Sequence, residues 1–398
     1  MRHFCMIRIR KFAAFEQTLF GSRWLGPAAL AIVLLHAATL IGFSKLDFWV
    51  TDHAGNPVYH AFVAMWSGSY DVLHGRGSSV YDQAQFVSVQ RRILNSHPGQ
   101  NPYFIWVYPP TALFVVLPLA LMPYTVAFVV WATVTVVLYM WAVWNIVPRA
   151  ITPLVALTPL AVPINILLGQ DGLLNAALLG IVATAMRSRP RLAGVCLGLL
   201  SYKPQLGLAF PVVLASAARW RIFFAAAAST LVFAVASAVW FGVSSWEHFF
   251  QQLVMLSGSD NFELAGLHTV HQSFYGLATW LGASRPLAWS FHCAGAAATL
   301  MTAIALWRRS DAFDMKSAAT VLSTFAVTPF LVMYDLALLA IPAALLIRQG
   351  LNGGFLVGER TLIALCVGLE FPALQMPIGP LILLILESLV IRRALSRV

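Results

Sequence analysis

From Trp24 to the C-terminus the chain alternates apolar runs with short polar corners. Trp24–Ser44 is long enough to cross a bilayer, which takes about 20 residues as a helix. A polar stretch over about 45–105 follows, with Asp47, Asp52, Asp71, Asp82 and turn signals such as Asn56-Pro57. Apolar segments resume at 107–121 and 124–147, separated by Met122-Pro123, and at 151–168 and 172–186, separated by Gly169-Gln170-Asp171-Gly172. Lys203-Pro204 interrupts the run 192–217, and a full span at 220–242 leads to a second polar stretch at about 243–283. Segments at 286–307, 315–330, 332–348, 361–373 and 377–391 complete the pattern.

Several of these pieces are too short to span the membrane upright. The run 192–217 carries cations at both flanks, so it predicts two short helices that enter from one side and turn back at Lys203. The pair 315–330 and 332–348 predicts the same shape, turning at Pro329 and Asp335. On this pattern the polar corners converge beneath the two large polar stretches, in a buried site open to one side.

Composition extends the pattern to a class. The chain is 60% hydrophobic and 10% charged, against about 25% charged in a soluble domain. The fold class is therefore an all-α, polytopic integral membrane protein, with the bilayer as its first partner. The net charge of +10 lies in the connectors: Arg2, Arg8, Arg10 and Lys11; Arg187, Arg189 and Arg191; Arg219 and Arg221; Arg308 and Arg309; Arg392, Arg393 and Arg397. Positively charged connectors mark the cytoplasmic side. Both termini are thus expected there, with residues 1–23 a basic cytoplasmic N-terminus and 24–398 one transmembrane domain. Such a distribution reads as topology, not as a nucleic-acid surface. Trp24–Ser44 reads as a retained span, because no convincing cleavage site follows the basic N-terminus. Cys5, Cys196, Cys293 and Cys366 have neither metal spacing nor a disulfide pattern.

The chemistry is concentrated in a few corners. Lys203 stands in the middle of an apolar run, where a lysine costs about 2.5–3.5 kcal/mol or more to insert. Pro204 breaks the helix there, and irregular backbone at that depth needs protein or a water-filled cavity around it. A cation so placed suits an anionic visitor. Gln170, Asp171 and Asn175 fall near a helix start, whose free N–H groups also favour an anion. Tyr108-Pro109-Pro110, Gln205, the group His268, His271, Gln272 and Ser273, and Tyr334-Asp335 are the other corners. Each has a structural alternative: snorkelling for Lys203, a cap and turn for Gln170-Asp171, a helix start for Tyr108-Pro109-Pro110, and an ion pair with Lys203 for Asp335. His268 and His271 alone make a weak metal signal, and no metal is assigned.

Leu168-Gly169-Gln170-Asp171-Gly172 through Leu178 resembles the Gly-Gln-(Asn/Asp)-Gly segment of glycosyltransferase family 87. Ala193-Gly194 through Gly198-Leu199-Leu200-Ser201-Tyr202-Lys203-Pro204-Gln205 is similar to that family's Lys-Pro-Gln block. Gly75 to Tyr81-Asp82, Tyr108-Pro109-Pro110 to Pro118-Leu119, Gln272-Ser273, and Thr328-Pro329-Phe330 to Tyr334-Asp335 match in the same order. The similarity runs from about residue 45 to 391.

The resemblance implies a GT-C type bundle of about 10–13 helices, several short or broken, with two larger extracytoplasmic loops. It implies transfer of a mannose-like hexose from a polyprenyl-phosphate donor to an envelope glycan or glycolipid on the outer face of the cytoplasmic membrane. No cofactor is implied beyond the donor itself. Lys203, Gln205, Gln170, Asn175, His271, Gln272 and Tyr108 would bind the donor phosphate or lipid-linked sugar. Asp171, Tyr334, Asp335 and Asp82 would line or support the site. A first-loop carboxylate would act as general base, but the position that the resemblance gives it, ahead of Phe62, holds Ala61. Asp52 is the first substitute and Asp47, ahead of Phe48, the next. The adjacent His60 has an ordinary pKa of about 6.5 and can also take a proton. Two other readings stand beside transfer. One is a catalytically inactive relative that binds a lipid-linked glycan. The other is a secondary transporter, which also uses broken helices but which the absent inverted repeat disfavours.

Overall fold

The computed structural model describes residues 16, 18, 22–58, 60–94, 104–258 and 271–396. His268 and most of the N-terminal segment 1–23 lie outside the described residues. Eighteen α-helices, joined by short 3₁₀ turns, make up the described chain. They begin with α1 (Ser22–Lys45), α2 (Phe62–Leu73), α3 (Gln83–Leu94), α4 (Ala112–Val116), α5 (Tyr124–Ile146), α6 (Thr152–Ala156) and α7 (Ala161–Leu168). Then come α8 (Gly172–Ser188), α9 (Pro190–Leu199), α10 (Ala209–Ser216), α11 (Trp220–Phe241), α12 (Val243–Gly258) and α13 (Phe274–Trp280). The last five are α14 (Arg285–Arg309), α15 (Phe313–Val327), α16 (Ala340–Gly353), α17 (Glu359–Leu369) and α18 (Gly379–Leu395).

Among the described residues five stretches are long and apolar enough to cross a membrane: Arg23–Lys45, Tyr124–Ile146, Trp220–Phe241, Arg285–Arg309 and Met333–Gly353. The protein is an all-α polytopic membrane protein. The total of eighteen exceeds the number of apolar runs for two reasons. The Pro and Gly breaks divide single runs into two or three pieces, and the first polar stretch is itself helical. Within that stretch α2 is an apolar helix whose Phe62, Val63 and Met65 are buried. They join Trp106, Leu113, Tyr124, Phe128 and Trp131 in one core.

The two hairpins read from the sequence are present, and contacts at their feet show it. Arg187 lies over the Phe313 ring and Arg219 over the Trp307 ring, while Trp307 and Phe313 are themselves 5.7 Å apart. The segment from 190 to 216 therefore leaves and returns at one end, with its turn at Lys203. Arg348 Nε donates to Asp314 Oδ2 at 2.9 Å, so the start of α15 meets the end of α16 and that pair also closes on itself. From Gly172 to Ser188 the 17 residues of α8 rise about 25 Å. The hairpin tips thus lie most of a bilayer thickness away from these feet.

Other contacts tie the foot end together. Glu16 accepts from Gly358 N at 2.8 Å and Thr361 N at 3.1 Å. Arg393 Nε donates to Glu359 Oε1 at 2.6 Å. Glu16, the loop 354–358 and the C-terminal helix consequently share one end with Arg187, Arg219 and Lys316.

Candidate functional site

Four breaks in the helical pattern meet at the opposite end. Gly169 closes α7 in the left-handed conformation, at φ 63°, and leaves Asp171 to begin α8. Lys203, held extended between two 3₁₀ turns by Pro204, is the tip of the first hairpin. Met333–Leu339 is a 3₁₀ turn at the tip of the second. Tyr108-Pro109-Pro110 leads into α4, and Thr111 Oγ1 there donates to Ser201 O at 3.1 Å.

Lys203 is 5% exposed, and its Nζ donates to Asp335 Oδ1 at 2.8 Å and Asp171 Oδ1 at 3.0 Å. The Tyr334 ring lies 5.3 Å from the same nitrogen. Asp335 Oδ2 accepts from Val332 N at 3.1 Å, which fixes the turn that carries it. One cation is therefore shared by two buried carboxylates, leaving the triad with a net charge of −1. The pairing of Asp335 with Lys203 is as the sequence suggested; Asp171 is the second partner.

Close backbone approach makes this possible. A Cβ on Gly172 would stand 2.4 Å from Tyr334 O, so only glycine lets the second tip settle against the start of α8. Asn165 Nδ2 donates to the same carbonyl at 2.9 Å. A Cβ on Gly169 would stand 2.6 Å from Phe62 Cβ, which joins the tips to the start of α2.

Several polar atoms around the triad are buried with no hydrogen-bond partner: Asp171 Oδ2, Gln170 Oε1, Asn175 Nδ2 and Asn165 Oδ1. Buried polar atoms are nearly always paired, so a group of unpaired ones in one place marks where a polar ligand belongs. Asn175 Oδ1 is taken by the Tyr202 hydroxyl. A narrow cavity beside Asp171 is lined by Met65, Trp106, Tyr108, Trp131 and Tyr202. Gln205 is half-buried just past the tip, and its carbonyl accepts from Thr328 Oγ1 at 3.2 Å.

Four of the sequence candidates have other work. Gln272 donates through its amide to Ala373 O at 2.8 Å and accepts from Gly379 N at 2.9 Å, so it clamps the start of α18 and has little left for a donor. Ser273, beside it, caps α13 by accepting from Gly276 N at 3.0 Å. Asp82 is exposed and caps α3, accepting from Ala84 N and Gln85 N at 3.0 and 3.1 Å. His271 packs with Phe330, ring centres 5.8 Å apart, in an aromatic group with Tyr275 and Trp289.

The three base candidates differ sharply. Asp52 is half-exposed in a tight turn, accepting from Asn56 N at 2.8 Å and Asn56 Nδ2 at 3.1 Å. Those bonds to Asn56 hold its carboxyl below the usual carboxylate range. Asp47 pairs with His53 at the surface. His60 is 5% exposed, and neither ring nitrogen has a hydrogen-bond partner. It packs 4.9 Å from Phe128 and 6.0 Å from Tyr124. Burial pushes its pKa down to about 4. Among the three, His60 is the one that packs with the aromatic residues joining α2 to Gly169. Asn165, Trp106, Trp131 and Tyr202 were not singled out from the sequence. Asn165 had a signal, being a lone amide inside the apolar run 151–168.

A family model described as glycosyltransferase family 87 matches residues 106–342, more than half of the chain. No curated protein and no solved structure matches it.

Proposed function

Because the chain belongs to glycosyltransferase family 87, we propose that this membrane glycosyltransferase moves a mannose-like hexose from a polyprenyl-phosphate donor to an extracytoplasmic glycan or glycolipid. The reading takes the tip end as the outer side of the cytoplasmic membrane and the basic feet as the cytoplasmic side, in keeping with the positive-inside rule. One observation carries the placement of the site: the unpaired buried polar atoms of Gln170, Asp171 and Asn175 cluster around the Lys203 triad.

Lysine has three N–H donors, and two are committed to Asp171 and Asp335. The third is the contact proposed for the donor phosphate. As the bond from the anomeric carbon to phosphate breaks, the electron pair leaves with the phosphate. A fixed N–H in a water-poor site stabilises that charge more than water does. The acceptor oxygen attacks the anomeric carbon and loses its proton to a base. His60 is proposed for that role ahead of Asp52 and Asp47, whose carboxylates are held by Asn56 and His53. It is neutral at pH 7 and so has a free nitrogen for the proton, while burial, which lowers its pKa to about 4, makes it a weak base until the acceptor or phosphate beside it stabilises the imidazolium.

A second reading has its own observation. The resemblance puts Ala61, which lies ahead of the matched residues 106–342, in the place of the expected acid, and the two carboxylates on Lys203 repel an incoming phosphate. A relative that binds a lipid-linked glycan without turning it over fits both facts. The deciding measurement is transfer of radiolabelled hexose from a polyprenyl-phosphate donor in membranes holding the wild type, Lys203→Ala, His60→Gln or Asp52→Asn. Transfer per folded molecule lost in Lys203→Ala and His60→Gln but kept in Asp52→Asn supports the proposal. No transfer by the wild type, with donor still bound, favours the inactive relative. Full activity in Lys203→Ala removes the phosphate contact.

A further inference from the structure

The foot end carries a second concentration of charge. Arg219 lies 5.0 Å from the centre of the Trp307 ring and Lys316 5.5 Å from the same ring. Arg187 lies 5.8 Å from the centre of Phe313, which meets Trp307 edge-on at 5.7 Å. Three cations from three separate connections thus stand around two touching aromatic rings. Trp307 is buried and its indole N–H donates to Thr320 Oγ1 at 2.9 Å, so the platform is fixed.

None of the three cations takes part in a salt bridge among the described residues. Asp314, on the same helix as Lys316, is occupied by Arg348 and Gln349. Asp311 is exposed and stands against the further cations Arg189, Arg191, Arg221, Arg308 and Arg309, all exposed. Like charges crowded around a buried ring repel one another, and the faces of Trp307 and Phe313 offset only part of that. The backbone is also strained where it delivers Arg219. Ala218 sits at φ 51°, a left-handed conformation unusual for a residue with a Cβ.

We propose that this cluster is a binding site for the phosphate headgroup of an anionic phospholipid in the leaflet that the foot end faces. The charge calls for an anion, and the flanks call for a lipid. Trp220 is 48% and Phe224 63% exposed immediately beside Arg219 and Arg221. Trp220 packs with Phe223 and Phe224 as an aromatic rim, the composition that favours the bilayer interface. Basic pockets between helices at that level hold phospholipid headgroups. The site is separate from the tip cluster and does not depend on the transfer reaction.

The test uses the full-length protein in neutral detergent, titrated with phosphatidylglycerol, phosphatidylcholine or inorganic phosphate, with thermal unfolding as the readout. Phosphatidylglycerol is expected to raise the unfolding temperature, phosphatidylcholine and phosphate are not, and 1 M salt is expected to remove most of the gain. The triple variant Arg187→Gln, Arg219→Gln, Lys316→Gln is expected to bind phosphatidylglycerol on the order of a hundredfold more weakly. The charge-preserving pair Arg219→Lys, Lys316→Arg is expected to keep the gain. An undiminished gain in the triple variant, or an equal gain from phosphatidylcholine, overturns the proposal. A gain from inorganic phosphate alone overturns the lipid assignment. If the triple variant yields no folded protein, native mass spectrometry of Arg219→Gln against the wild type decides, and unchanged phosphatidylglycerol occupancy rejects the site.

Discussion

Gly172→Ala tests whether close packing at the tips holds the triad together. The new methyl would meet Tyr334 O at 2.4 Å and the Asn165 amide atoms at 2.7 and 3.0 Å. Ordinary contact lies near 3.5 Å, so the Tyr334 carbonyl must retreat by about 1 Å. Asp335 follows Tyr334 directly, and its 2.8 Å bond to Lys203 would stretch past the range of a useful hydrogen bond. Overpacking costs about 1–3 kcal/mol, and a lost bond to a charged group about 1.5–3 kcal/mol. Alanine returns less than about 1 kcal/mol of helix preference at this first helical position. The expected loss is about 2–5 kcal/mol.

Gly180→Ala, two turns along the same helix, is the control. Its methyl would meet only the side-chain atoms Ala142 Cβ and Ile341 Cδ1, each at 3.1 Å. A few tenths of an ångström of movement relieve that, and the helix interior prefers alanine by about 1 kcal/mol, so its stability is expected to stay within about 1 kcal/mol of the wild type. Thermal unfolding in detergent measures both variants, and sugar transfer per folded molecule is measured beside it. Gly172→Ala should be less stable than Gly180→Ala and should lose more transfer than its lower folded fraction explains. Equal stability of the two variants with transfer intact would refute the packing argument.

Three further outcomes follow from named contacts. Lys203→Met leaves Asp171 and Asp335 buried without a cation and should cost about 3–5 kcal/mol; adding Asp171→Asn and Asp335→Asn should recover most of the folded yield, measured by size-exclusion chromatography. His60 has its pKa lowered to about 4 in the folded protein, so above its unfolded value near 6.5 pH has no effect through this group. Below that value only the unfolded chain takes the proton, and stability should fall by up to about 3 kcal/mol between pH 6.5 and 4; His60→Phe should flatten that slope in unfolding curves taken across the range. Ala218→Gly should raise the unfolding temperature, by roughly 1 kcal/mol of relieved backbone strain, because residue 218 sits at φ 51°.

The breaks were legible because they violate the apolar pattern. A lysine followed by proline, a Gly-Gln-Asp-Gly corner and a Tyr-Asp after proline cannot continue a lipid-facing helix, and cations at both flanks gave the hairpins their direction. The roles of isolated polar residues were much less legible. Gln272 and Asp82 belong to motifs as readily as Gln170 does, yet Gln272 clamps α18 and Asp82 caps a surface helix. Nothing local distinguishes these cases, since a polar side chain's partner is set by which distant backbone groups arrive beside it. The first polar stretch hid α2 for a related reason: one buried apolar helix stands among turns and charges, and its burial depends on α4 and α5 supplying the other half of the core.

Lys203 shows where reasoning from cost must stop. A buried cation suits an incoming anion, but the two nearest corners each bring a carboxylate, at 3.0 and 2.8 Å. Those bonds account for its survival at depth without any ligand. The separate indication of a ligand is the unpaired state of Asp171 Oδ2, Gln170 Oε1 and Asn175 Nδ2. Desolvating such a group without a partner costs about 1–3 kcal/mol, and no contact within the fold repays it. The triad explains why the three segments meet, and the unpaired atoms around it are the reason to place substrate there. Removing Lys203 should therefore disturb folding and transfer together, whereas Gln170→Leu, at a side chain whose Oε1 has no partner in the fold, should spare the fold and reduce transfer.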